Sequence, residues 1–98
     1  MGNIQTVRVG GKVTGQHRMT SISTARPVDG VGNKVLLQAE TQAVRLQFGS
    51  APTSTNGFLL ATGVIYEIEL GPTQSIQDLQ VLEATSGAVL NVLAISTK

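Results

Sequence analysis

The chain has 98 residues, enough for one domain of modest size, and its seven Lys+Arg against six Asp+Glu give a formal net charge of +1. Only 13 % of the residues are charged, and they are spread singly, so no basic stripe for nucleic acid is present. The absence of cysteine excludes a disulfide framework and a thiol nucleophile. The first residues lack the apolar run of a signal peptide, and no stretch has the roughly 18 apolar residues of a membrane span.

Short runs of β-branched residues between turn residues predict an all-β fold. Eleven glycines and three prolines divide the chain, and the runs between them are too short for a succession of packed helices. In chain order, the predicted strands cover residues 4–9, 17–23, 34–40, 43–48, 58–60, 64–70, 78–83 and 88–96. Such a series is typical of a compact antiparallel β-sandwich or barrel of seven to eight short strands, and helix is expected only as a single turn at 74–77.

The first third of the chain differs from the rest in charge. Residues 1–33 carry four of the seven basic residues and thinner apolar spacing, and we interpret them as an N-terminal arm or a first hairpin. The segment Arg26–Gly30 is predicted to be a turn, because proline presets φ and glycine accepts positive φ. Residues 34–98 are predicted to form the sandwich core, the whole chain being one domain.

Two predicted strands alternate cleanly between apolar and polar residues. In 44–48 the apolar side chains fall on one face, and in 64–70 Tyr66, Ile68 and Leu70 are predicted to point inward, with Glu67 and Glu69 outward.

Two other runs, 35–37 and 88–95, are apolar on both faces. A two-sided apolar strand in an antiparallel sheet needs cover on both sides. That cover is either a neighbouring subunit or a loop of the same chain. With Leu90, Val92 and Ala94 assigned to the core, the second face presents Val89, Leu93 and Ile95.

The residue types of an active site are sparse. His17 is the single histidine, and a solvated loop or strand-edge position explains it better than a catalytic base. Glu67 and Glu69 lie two residues apart on one face of a predicted strand. That face is predicted to be solvated, and it offers no histidine or aromatic side chain of the kind that accompanies a catalytic acid–base pair. The glycine-rich segments fit no phosphate-loop pattern. We therefore predict no catalytic residue, no metal site and no cofactor.

One ordered set of segments resembles small structural proteins of tailed-bacteriophage virions. It runs from Val35–Glu40 and Gln42–Leu46, through the loop Ala51–Gly57, to Ser86–Val92, and covers roughly residues 34 to 93. The resemblance implies a compact β-sandwich or barrel that assembles as an oligomer, often a trimer, on the phage head as a capsid decoration (cement) protein.

This resemblance, together with the apolar second faces, leads to a specific expectation. The chain is expected to be a non-enzymatic decoration protein at the head surface of the virion, made in the host cytoplasm, with the major capsid protein and its own copies as partners and with no nucleic acid or membrane partner. Contacts are expected from apolar side chains on the second faces and from arginines reaching the shell: Val89, Leu93, Ile95 and Leu36, with Arg8, Arg18 and Arg26. The alternative is a receptor- or glycan-binding module of a head or tail fibre that uses the loop 51–57. A small enzyme that uses His17 as its base is a third possibility.

Overall fold

The computed structural model describes residues 10–97, which form two four-stranded antiparallel sheets. The all-β prediction and the sandwich of seven to eight strands are thereby confirmed. The elements are β1 (Lys12–Met19), β2 (Arg26–Pro27), β3 (Lys34–Glu40), β4 (Val44–Phe48), β5 (Phe58–Leu60), β6 (Ile65–Glu69), a 3-10 turn (Ile76–Asp78), β7 (Leu79–Glu83) and β8 (Val89–Ser96).

Strand order determines which strands lie at the edges. The first sheet has the order β1-β8-β3-β6, and the second has the order β2-β7-β4-β5. The two strands with two-sided apolar runs, β3 and β8, are therefore neighbours in the middle of the first sheet. Among the strands of residues 10–97, β5 and β6 are edge strands of different sheets.

The core lies between the inner faces of the two sheets, as the period of two requires. Leu90, Val92 and Ala94 of β8 are buried there, as predicted from the alternation. Their partners from the other elements are Met19, Ile22, Val28, Val35, Leu37, Ala39, Val44, Leu46, Leu60, Ile76, Leu79, Val81 and Ala88.

The start of the chain is where the predicted strands differ most from the structure. The predicted strand 4–9 lies outside the described residues. The strand predicted at 17–23 runs instead from Lys12 to Met19, with a bulge between Val13 and Gly15. The prediction was wrong because β1 is an edge strand rich in polar residues, which obscure the alternation of apolar and polar side chains.

Two local predictions near turns also needed correction. Arg26 and Pro27 form a short strand that pairs with β7, although a turn was predicted, because an edge strand tolerates a proline that cannot donate. The helical turn begins two residues later than predicted, at Ile76. Ser75 caps it: its hydroxyl accepts from the Gln77 amide at 3.1 Å, and the Asp78 carboxylate accepts from the Ser75 amide at 3.4 Å.

The described part of the first third belongs to the same core as the rest. β1 pairs with β8 and β2 pairs with β7, so these two strands lie in different sheets and do not form a hairpin with each other. Met19, Ile22 and Val28 are each at most 1 % exposed. Between residues 10 and 97, no helix is long and apolar enough to cross a membrane.

A buried asparagine ties the ends of three strands together. Asn33 is 1 % exposed and precedes β3. Its side-chain amide donates to the Leu70 carbonyl at 3.2 Å and to the Thr97 hydroxyl at 2.8 Å, and its side-chain oxygen accepts from the Thr97 amide at 2.9 Å. The ends of β6 and β8 are thereby fixed beside the start of β3.

Candidate functional site

An apolar groove opens between the two sheets where the edge strands β5 and β6 lie. Its volume is about 550 Å³. One wall comes from the second sheet and the other from β6 and the residues that follow it. The lining side chains are Leu46, Phe48, Phe58, Leu59, Leu60 and Leu79 on one side, with Tyr66, Ile68, Leu70 and Gln74 on the other. We call this the edge groove.

The rim of the edge groove is the most exposed apolar surface among the described residues. Phe58 is 77 % exposed, and Phe48 and Leu59 are each 48 % exposed. Phe58 pairs with Leu46 across β4 and β5, so its side chain is on the inner face of the second sheet. It remains uncovered because β5 is a short edge strand. Exposed aromatic side chains grouped at one place are typical of an interaction surface.

The β6 wall is held by hydrogen bonds to the neighbouring segments. The Tyr66 hydroxyl accepts from the Ala61 amide at 2.9 Å, and the Leu70 amide donates to the Asn33 carbonyl at 2.7 Å. Tyr66, Ile68 and Leu70 are half-buried and pack against the core. Their inward orientation was predicted, and their position at an open edge was not.

A second surface lies on the outer face of the first sheet. Register pairs Leu36 of β3 with Leu93 of β8, and Gln38 with both Asn91 and Ile65. These side chains surround a shallow depression of about 210 Å³. We call this surface, lined by Gln16, Leu36, Gln38, Ile65, Asn91 and Leu93, the outer patch.

A charged cluster flanks the outer patch on the side of β1. The Glu40 carboxylate accepts from the Asn91 side-chain amide at 2.9 Å and from the Arg18 guanidinium at 3.1 Å. The Asn91 hydrogen bond, followed by that from Arg18, lowers the pKa of Glu40 below its ordinary value.

A second charged cluster flanks the outer patch on the side of β6. Lys34 is 3 % exposed, and its Nζ lies 3.4 Å from a Glu67 carboxylate oxygen and 3.9 Å from one of Glu69. Both glutamates thus lie on the outward face of β6, as predicted. They act as partners of a buried cation, a structural role that is different from an acid–base pair.

The apolar residues predicted to form contacts have unequal positions. Leu93 and Val89 are half-buried on the outer face, and Leu36 beside them is 7 % exposed. Ile95 also belongs to this face but is fully buried. Gly11 crosses directly over it, since a Cβ at Gly11 would lie 2.9 Å from Ile95 Cγ2. The Ile95 side chain is therefore withdrawn from any partner, which corrects its assignment to an accessible contact surface.

The arginines predicted to reach a partner are not brought together. Arg8 lies outside the described residues. Arg18 belongs to the Glu40 cluster on the first sheet. Arg26 sits on the second sheet, where its guanidinium contacts both carboxylate oxygens of Asp29 at 2.7 and 2.8 Å. Arg18 and Arg26 each already have an acidic partner within the chain.

No constellation of catalytic type is assembled in the part of the chain that the structure describes. Residues 10–97 contain no group of three or more His, Asp or Glu that could hold a metal ion. His17 lies half-buried on the edge strand β1, in register with Val92. This agrees with the predicted strand-edge position.

The loop proposed as a glycan contact is tied to the second sheet. Arg45 donates to the carbonyls of Ser54 at 3.2 Å and Gly57 at 3.1 Å, and the Thr53 hydroxyl accepts from the Asn56 amide at 3.0 Å. The loop is exposed, and it leads directly into Phe58 at the rim of the edge groove.

Comparison of the chain with protein-family models, with curated proteins and with solved structures finds no match in any of the three.

Proposed function

We propose that the chain is a non-enzymatic structural protein of a phage virion, a capsid decoration protein that binds adjacent major capsid subunits at the head surface and stabilises them, acting as a homotrimer. The edge groove is the observation that carries this proposal. On this basis we propose that the exposed aromatic rim of the edge groove contacts the capsid, in place of the arginines of the first third of the chain.

The size of the exposed rim suits the centre of a protein contact. A Phe side chain buries roughly 200 Å², so the exposed fractions of Phe58 and Phe48 together offer on the order of 250 Å² of ring surface. A specific contact buries about 800 Å² on each partner, with aromatic residues at its centre and polar residues at its rim. The exposed hydroxyl-rich loop 53–56 beside Phe58 supplies such a polar rim.

The chemistry of the described side chains also favours binding over catalysis. The carboxylates of Glu40, Glu67 and Glu69 lie within ion-pair distance of basic side chains. Carboxylates that neutralise neighbouring basic side chains stabilise the surface, and they are poorly suited to proton transfer. A decoration protein needs only a matching surface, because weak contacts repeated around a shell add by avidity.

A binding assay with shells of the major capsid protein of the same virus tests the proposal. We expect the wild-type chain to co-sediment with the shells, and Phe58→Ala to weaken binding about 30-fold, the effect of losing a 2 kcal/mol hot spot. The matched control is Val31→Ala, because Val31 is 60 % exposed but does not line the edge groove. Failure of the wild type to bind, or equal binding by Phe58→Ala, would refute the proposal.

The trimer is tested separately by light scattering over a tenfold concentration range. We expect a mass three times that of the chain throughout that range. A monomer at every concentration would remove the homotrimer from the proposal and leave the capsid contact to be judged by sedimentation.

The juxtaposition of Phe58 with a hydroxyl-rich loop supports one alternative function, a receptor- or glycan-binding module. An exposed aromatic ring is a common platform for a sugar, and Thr53, Ser54 and Thr55 could supply hydrogen bonds. A glycan array probed with the wild type and with Phe58→Ala distinguishes the two. Specific signals lost in the variant would favour the glycan module, and an array without signals would remove it.

A further inference from the structure

The loop that leads into β5 contains an asparagine followed by a glycine, Asn56 and Gly57. Both residues are exposed. The backbone of the loop is held on either side of the peptide bond between them, because the Asn56 amide donates to the Thr53 hydroxyl at 3.0 Å and the Gly57 carbonyl accepts from the Arg45 guanidinium at 3.1 Å. The Asn56 side chain is therefore presented to solvent from an anchored backbone.

An asparagine before a glycine has the atoms for intramolecular deamidation. The Gly57 backbone nitrogen gives its proton to a solvent base and attacks Cγ of Asn56. An N–Cγ bond forms, the Cγ–Nδ2 bond breaks, and ammonia leaves with a proton returned by solvent. Water then opens the resulting succinimide ring at one of its two carbonyls, which gives aspartate or, when the main chain is left to run through Cγ, isoaspartate. Glycine favours the attack because no Cβ crowds its nitrogen.

The two other asparagines in residues 10–97 are placed where this reaction is hindered. Asn33 is 1 % exposed, and its side chain makes the three hydrogen bonds described above. Asn91 lies in β8, donates to the Glu40 carboxylate at 2.9 Å and is followed by the β-branched Val92. Attack on either side chain requires that these hydrogen bonds break and that a strand residue leaves its position.

A positive charge lies beside the reacting atoms of Asn56 and Gly57. Arg45 donates through Nε to the Ser54 carbonyl at 3.2 Å and through its terminal nitrogen to the Gly57 carbonyl, so its guanidinium bridges the residues on both sides of Asn56. The nitrogen attacks in its deprotonated, negatively charged form, and a neighbouring cation favours that form. The carboxylate that results at position 56 is also produced next to this cation.

The isoaspartate product does not fit the space that the loop occupies. A Cβ at Gly57 would lie 2.9 Å from the Leu46 carbonyl oxygen and 3.1 Å from Pro52 Cβ, so the backbone here is pressed against β4. Isoaspartate inserts one methylene group into the main chain directly before Gly57. The next residue, Phe58, pairs with Leu46, and the added length must be absorbed by this pairing.

We infer that Asn56 is a site of spontaneous deamidation and that its isoaspartate form displaces the start of β5. Conversion adds a negative charge two residues before Phe58, at the rim of the edge groove. The inference concerns the covalent chemistry of the loop and holds whether or not the edge groove contacts a capsid.

Ageing of the full-length chain at mildly alkaline pH tests the chemistry. Samples are digested at acidic pH and their peptides are fragmented in a mass spectrometer, which locates the replacement of an amide by a carboxyl group. We expect first-order conversion at Asn56 while Asn33 and Asn91 stay intact. The matched control is Asn56→Gln, whose longer side chain would have to close a six-membered ring and should stay unconverted. Equal conversion at the three asparagines, or none at Asn56, would overturn the inference.

Two variants of Arg45 test the contribution of its charge to the rate. Arg45→Gln should slow conversion several-fold, and Arg45→Lys, which keeps the positive charge, should restore most of the wild-type rate. Equal rates in wild type and both variants would remove Arg45 from the inference.

Nuclear magnetic resonance of the ¹⁵N-labelled isoaspartate form, purified from an aged sample, tests the displacement of β5. We expect the amide signals of Leu46 and Phe58 to move away from their wild-type positions. The control is Asn56→Asp, which carries the same charge without the added methylene and should leave both signals close to wild type. Coincident spectra of the isoaspartate form and Asn56→Asp would overturn the displacement.

Discussion

Replacing Asn33 by alanine should destabilise the fold more than any single hydrogen bond would suggest. The side chain is buried and makes three hydrogen bonds, two of which go to Thr97 and one to Leu70. In Asn33→Ala the Thr97 amide and the Leu70 carbonyl lose their side-chain partner. A hydrogen bond contributes about 1 kcal/mol net, and a buried group left without a partner costs about 1–3 kcal/mol. The expected loss of unfolding free energy is therefore about 3 kcal/mol.

Urea denaturation followed by circular dichroism measures this loss, with an unchanged m-value as the sign that both states keep their compactness. Thr97→Val is the matched control, because it removes one hydroxyl and should cost only about 1 kcal/mol. An Asn33→Ala variant within 0.5 kcal/mol of wild type, roughly the range of neutral surface substitutions, would show that the three strand ends are held by something other than this side chain.

Three further perturbations have outcomes set by single positions. Leu37→Ala should cost about 2–5 kcal/mol and Leu59→Ala less than about 1 kcal/mol in urea denaturation, because Leu37 is 1 % exposed and Leu59 is 48 % exposed. Gly32→Ala should lower the Tm markedly in a calorimetric scan, because φ is +135° and a Cβ there would overlap the Ile95 carbonyl. The pKa of Glu40 is lowered in the folded chain, so its stabilising contribution is present above the ordinary glutamate pKa of about 4.3 and disappears as the pH falls through the folded value. A Tm measured from pH 7 to pH 3 should accordingly fall further for wild type than for Glu40→Gln, and parallel curves would contradict the assignment.

The alternation of side chains predicted the fold class because it depends on local geometry alone. In β8 every second residue is buried against the second sheet, and the choice of Leu90, Val92 and Ala94 as the inward set was correct. The bounds of β3 and β5 agree with the prediction residue for residue. Strands with an apolar face are recognisable in sequence since burial on one side imposes the period of two wherever the strand lies in the sheet.

Strand order was not predictable in the same way, and the surfaces depend on it. β3 and β8 are separated by 48 residues along the chain, from Glu40 to Val89, yet they are neighbours in the first sheet. Their two-sided apolar pattern predicted a face that needs cover. It could not show that Gly11 already covers Ile95, because that contact depends on the path of the chain outside any strand.

The edge groove explains how side chains that face inward on their strands can nevertheless be exposed to solvent. Tyr66 and Ile68 face inward on β6, and Phe58 faces inward on β5. In the middle of a sandwich such side chains would be sealed by the opposite sheet. β5 and β6 each end their sheet, so no other strand of residues 10–97 seals the space between them, and side chains of the inner faces become apolar surface. Periodicity identifies the face on which a residue lies, and only the topology determines whether that face is closed. A sequence signal for such a groove would be a short strand such as Phe58–Leu60, too brief to be covered along its length, combined with an aromatic residue at its free end.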